Sequence, residues 1–90
     1  SARYGLGKIY LEEKRLPEAL AMADEAVRLD QDSASAHYLK ARILLQMRRS
    51  KEGQNELATV RKLQKEATDR LEREVSGSVY RDPQLAGEGK

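Results

Sequence analysis

The sequence predicts an all-α chain built from two copies of a helix-turn-helix unit, the second ending in an extended helix. Three observations carry this. First, sliding the chain against itself by 34 residues lays Ala2 on Ala36, Tyr4 on Tyr38, Ile9 on Ile43, Leu11 on Leu45, Arg15 on Arg49, Glu18 on Glu52 and Leu29 on Leu63. Self-similarity at such a period marks a stacked helical repeat. Second, apolar residues recur three and four apart, the spacing that puts them on one face of a helix. Third, the periodic stretches are separated by short clusters of residues that favour turns and caps, such as Asp30–Ser33.

The first helix is expected over Ala2–Glu13, with Leu6, Ile9 and Tyr10 forming its apolar stripe. Gly5 and Gly7 each weaken a helix by about 1 kcal/mol relative to Ala, and close approach of a second helix at Gly7 would account for the loss. Lys14–Leu16 make the turn, and Pro17 suits the first position of the second helix, where its missing N–H is not needed. That helix runs to Leu29 with Ala19, Leu20, Ala23, Ala26, Val27 and Leu29 inward. Asp32 or Ser33 is placed to cap the third helix, expected over Ala34–Met47. Ser50 is the expected cap of the fourth, over Lys51–Glu74. Gly53 falls at the place of Ala19, so the same tight helix contact is expected twice. Beyond Leu63 the repeat fails, but Leu57, Val60, Leu63, Ala67, Leu71 and Val75 keep a helical stripe going with no Pro or Gly from Gln64 to Val75. Glu66 with Arg70 and Asp69 with Arg73 have the favourable acidic-first order of four-residue pairs. The resulting division is a first repeat over 1–33, a second over 34–75 and a flexible tail over 76–90.

Composition narrows the function classes. Hydrophobic residues make up 39% and charged residues 36% of 90 residues without Trp or Phe, which promises a thin core for one small domain. Such a chain is expected to be an excerpt of a longer array or to self-associate. With no Cys there is no disulfide or thiolate zinc site. No apolar run approaches the roughly 20 residues that span a bilayer. The net charge of +2 comes from Lys and Arg interleaved with Asp and Glu rather than gathered in a block, which argues against nucleic acid. His37 has no nucleophile at a recognisable spacing and reads as a packing residue. Glu12, Glu13, Asp30 and Asp32 lack the spaced loop of a calcium site. Gly5, Gly7 and Lys8 lack the preceding strand and the spacing of a phosphate loop. No cofactor, metal or catalytic group is expected.

The two copies resemble the tetratricopeptide repeat. Leu6, Gly7 and Tyr10 match the family's Leu, Gly and Tyr in its first helix, Ala19 and Ala26 its small residues in the second, and Leu29 the Leu near the repeat end. The second copy is looser, with Lys40, Ala41, Leu44, Gly53, Val60 and Leu63 at those places, and Gln31 replaces the usual junction Pro. The resemblance covers about 65 residues, judged from two units of this period. It implies a right-handed solenoid and a non-enzymatic protein-interaction module whose first helices line a concave groove for a peptide or helix. Carried over by position, the groove residues would be Tyr4, Lys8, Leu11 and Glu12 with Tyr38, Arg42, Leu45 and Gln46. Two cations there favour an acidic partner. The alternative is a structural segment that caps a larger array and oligomerises through its last helix or its open N-terminal end. A further expectation places Tyr80 and Leu85 of the tail in a groove of the same or a neighbouring chain.

Overall fold

The computed structural model describes residues 2–77, which form four helices in chain order. These are α1 (Ala2–Glu12), α2 (Leu16–Leu29), α3 (Ala34–Gln46) and α4 (Ser50–Gly77). The expected elements are therefore present, each boundary within a few residues of its sequence assignment. Expectations about the tail beyond Gly77, including Tyr80 and Leu85, lie outside the described residues. Helix α1 pairs with α2 and α3 with α4, α2 lies against α3, and α1 meets α3 over a narrower contact. Among the described residues, α1 and α4 stay apart.

Both hairpins turn by the same device, in register. Lys14 and Arg48 occupy the left-handed region with φ of 63° and 65°. The amides of Arg15 and Arg49 then donate back to the carbonyls of Tyr10 and Leu44 at 2.8 and 2.9 Å. This closes the orphan carbonyls of α1 and α3 as a glycine-type C-terminal cap would. The sequence disguises the turn because neither residue is Gly or Asn. Strain of about 1 kcal/mol or more at each such residue is held by the packed hairpin. The following helices also start alike: Arg15 reaches Glu18 at 3.2 Å, and Arg49 grips Glu52 through two nitrogens. Ser50 is accordingly inside α4 rather than capping it, and Pro17 follows Leu16 instead of opening α2. At α3, Ser33 Oγ accepts from the amide of Ala36 at 3.1 Å, so Ser33 is the cap.

Tight pairing is visible at the small residues. A Cβ added at Gly7 would stand 2.9 Å from Leu39 Cδ2, 3.4 Å from Met22 Cβ and 3.6 Å from the Ala19 carbonyl oxygen. In the second hairpin, a Cβ on Gly53 would meet Leu45 Cδ2 at 2.7 Å and the Ala41 carbonyl oxygen at 3.4 Å. The pair is Gly7 with Ala19 in one repeat and Ala41 with Gly53 in the other. One glycine and one alanine thus meet in each hairpin, with their helices exchanged. Gly5 has no such explanation within the chain, since a Cβ there meets nothing within 4 Å.

The core is Leu11, Ala19, Ala23, Leu39 and Ile43, with Tyr4, Tyr10, Leu16, Leu20 and Met47 packed against it. Burying Leu39 and Ile43 contributes about 1.5–3 kcal/mol each. The expected stripe on α1 is corrected here. Leu6 and Ile9 are 42% and 50% exposed, whereas Gly7 and Leu11 are buried. The reason lies in the repeat: α3 turns the face of Lys40 and Ile43 toward α2, and no described helix lies against the same face of α1. Leu29, expected inside, is also exposed, at the end of α2. Helix α4 runs 28 residues, about 42 Å at 1.5 Å per residue, well past its partner. Its outer half exposes Leu71 and Val75. There Asp69 pairs with Lys65 at 2.9 Å rather than with the expected Arg73.

Two changes test this reading through urea unfolding. Gly7→Ala is expected to lower stability by about 1 kcal/mol, because overpacking against buried Leu39 outweighs the gain in helix propensity. Arg48→Gly is expected to raise it by about 1 kcal/mol by relieving the left-handed residue.

Candidate functional site: a groove between the first helices and α4

Helices α3 and α4, with one residue of α1 at the edge, enclose a groove of about 350 Å³. Tyr4 comes from α1, Ala34, Ser35 and Tyr38 from α3, and Leu57, Val60, Arg61 and Gln64 from α4. Tyr38 follows Ala34 and Ser35 by four and three residues, and Leu57, Val60 or Arg61, and Gln64 step by three or four, so α3 and α4 each contribute one face. The two tyrosines stand in register because the repeat places them so. Tyr38 is 50% exposed, offering ring area with a polar tip to whatever enters. Val60 is nearly buried at the floor, and Arg61 is exposed beside it.

Of the eight residues assigned from sequence, the structure brings Tyr4 and Tyr38 together in this groove. Lys8 is exposed one turn along α1, its ammonium 5.7 Å from the centre of the Tyr4 ring. Arg42 is exposed one turn beyond Tyr38. Leu11 belongs to the core at 3% exposure, which corrects its assignment to the groove. It lies on the inward face together with Gly7, four residues earlier on the helix. Leu45 is tucked over Gly53, Gln46 accepts from Lys14 Nζ at 3.2 Å, and Glu12 is exposed. Lys8, Leu11, Glu12, Arg42, Leu45 and Gln46 thus fall outside the groove lining. Sequence reasoning missed Ala34 and Ser35 as groove residues, read Leu57 and Val60 only as part of a helical stripe, and missed Arg61 and Gln64. The last two extend the Leu57 and Val60 stripe of α4 by one helical turn, which was the available signal.

A polar cluster ties four segments together. His37 is almost buried, with Nδ1 2.6 Å from Glu56 Oε1 and Nε2 2.9 Å from the Gln31 carbonyl oxygen. Both neighbours are acceptors, and a ring nitrogen donates to its neighbour where it carries the proton. Lys40 Nζ lies 3.0 Å from Asp24 Oδ1 and 3.6 Å from Glu56 Oε2. Burial alone would pull the Lys40 ammonium below the ordinary lysine range, but its hydrogen bond to Asp24 and the attraction of Asp24 and Glu56 outweigh that and hold it above. A raised pKa contributes stability that is present below the ordinary lysine value and lost as pH rises through the folded one. The cluster links α2 and the Gln31 loop to α3 and α4. No buried side-chain polar atom among the described residues lacks a partner.

Among the described residues no group of three or more His, Cys, Asp or Glu could hold a metal, and no helix is long and apolar enough to cross a membrane. A family model described as the tetratricopeptide repeat matches residues 1–43 and again 10–71. The chain belongs to the tetratricopeptide repeat family. No curated protein and no solved structure matches it. Repeats of this family are typically non-enzymatic and serve protein-protein interaction, and the stacked hairpins with a groove on one side fit that general role.

His37 is expected to act through packing. His37→Ala leaves Glu56 Oε1 and the Gln31 carbonyl without their His37 partner, while Glu56 keeps Lys40, and should lower stability by about 1–3 kcal/mol. Arg42→Ala, on an exposed surface, should change it by no more than about 0.5 kcal/mol. Thermal or urea melts of the two variants compare them directly.

Proposed function

We propose that this tetratricopeptide pair is a non-enzymatic interaction module that holds a short peptide or a helix of a protein partner in the groove between α3 and α4. The observation that supports this most is the in-register placement of Tyr4 and Tyr38 over an apolar floor of Leu57 and Val60. Rigid paired helices form this surface before binding, so the receptor pays little ordering cost. Aromatic rings with polar tips are the residues interfaces favour. The charged groups along the rim are Arg61, with Lys8 and Arg42 one turn further along the first helices. A partner with carboxylates flanking an apolar anchor would meet these cations. The anchor fills the space between the rings while the acidic groups set its register.

The test is selection of binders from a random peptide library on the immobilised chain, followed by affinity measurement. Tyr38→Ala should weaken the selected peptides by about tenfold, the loss expected for an aromatic at the centre of an interface. Arg61→Ala should weaken acidic binders more than neutral ones. Peptides that bind both variants as well as the original chain would place recognition elsewhere and sink the proposal.

A further inference from the structure

The groove has the shape of a vacant place for one more first helix. Helix α3 lies against α1 and α2, and the groove offers the next pair, α3 and α4, with Leu57 and Val60 at the repeat places of Ala23 and Ala26. The residues by which α3 fits against α2 are known: Leu39 and Ile43 share the buried cluster with Ala19 and Ala23, and Lys40 pairs with Asp24. Stepping each of these by one repeat gives the residues that would meet if α1 were laid in the groove. Leu39 becomes Gly5 and Ala23 becomes Leu57. Lys40 becomes Leu6 and Asp24 becomes Ala58. Ile43 becomes Ile9.

The substitutions are matched in pairs. A large residue on α3 over a small one on α2 is replaced by no side chain on α1 over a large one on α4. A partly exposed charge pair is replaced by two apolar residues. Matched changes of this kind preserve volume and leave no charge unpaired, which is what a packed contact requires. The same step accounts for features otherwise without a role. Gly5 has open space around it, and Leu6, Ile9 and Ala58 are exposed on the helices that would meet.

We infer that the groove of one chain receives the outer face of α1 from a second copy of this chain, with Leu57 entering the notch at Gly5 and Leu6 covering Ala58. This rests on the reading of the groove as an interaction site and names its occupant. The contact is head-to-tail: one copy gives α1 and the other gives α3 and α4. The dimer keeps one free α1 and one free groove, on different copies, so association continues past it. Ala58 and Gly5 lie outside the groove lining, which allows the contact to be broken from either side without altering the groove itself.

The experiment is sedimentation equilibrium over a concentration series on the original chain, on Gly5→Leu and on Ala58→Arg, with helicity checked by circular dichroism. Gly5→Leu removes a helix-weakening glycine at an unobstructed position and should raise the melting temperature while filling the notch. The original chain should form species that grow with concentration, and each variant alone should associate about tenfold or more weakly. An equimolar mixture of the two variants should form dimers and nothing larger, because Gly5→Leu keeps Ala58 beside its groove and Ala58→Arg keeps the Gly5 notch of its α1. Association unaltered in both variants would overturn the inference, since the contact would then lie elsewhere, as on Leu71 and Val75. A chain that stays monomeric also overturns it. If such a monomer still binds selected peptides through Tyr38, the groove reading survives; if it binds none, both fail.

Discussion

Everything in this chain depends on how closely the two helices of each hairpin approach. A Cβ at Gly7 or Gly53 would already touch the carbonyl oxygen of Ala19 or Ala41, at 3.6 and 3.4 Å, and would press into the side chains of Leu39 and Leu45 at 2.9 and 2.7 Å. Small residues at the crossing let the helix axes draw together, and the larger side chains are then pushed to the flanks, where they meet the next hairpin. Leu39 and Ile43 fill the space above Ala19 and Ala23 for this reason. The alanine-rich face of α2 is a receptacle shaped for α3. A core without Trp or Phe suffices because its few large residues are placed where two hairpins converge.

Polar groups are spent at the same junction. The Gln31 carbonyl, His37, Glu56, Lys40 and Asp24 form one connected set that spans the loop, α2, α3 and α4. Gln31 stands where the family usually has Pro, and its backbone carbonyl takes a hydrogen bond from the almost buried His37. The set fixes the angle between the hairpins more specifically than apolar contacts alone, because each member leaves another unsatisfied if it moves. The angle between hairpins in turn sets the separation of α1 and α4, and with it the groove. In this way the polar junction and the interaction surface are coupled.

Much of this architecture was legible in the sequence. The repeat period located four helices, and the duplicated small residues announced the tight crossings, because a helix contact made twice must be encoded twice. Ser33 was readable as a cap from its side chain. The turns at Lys14 and Arg48 were not, since their left-handed backbone is imposed by the packed hairpin on residues with no preference for it. The candidate site was half legible. Tyr4 and Tyr38 could be named from register, but Leu11 and Leu45 share a register and differ in surroundings: one is core, the other is partly exposed against Gly53.

What the sequence determined by itself was the period, the helices, the small-residue crossings and the family, because each of these is a local or repeated pattern. What the tertiary structure decided was which face of each helix is covered. Helix α1 and helix α3 carry closely similar patterns, yet Ile43 is sealed and Ile9 is half exposed. A repeat helix has two packing faces, one for its hairpin partner and one for the neighbouring hairpin. Periodicity shows that both exist, but burial on the second depends on whether another helix is there to supply it, and that is a property of the assembled chain.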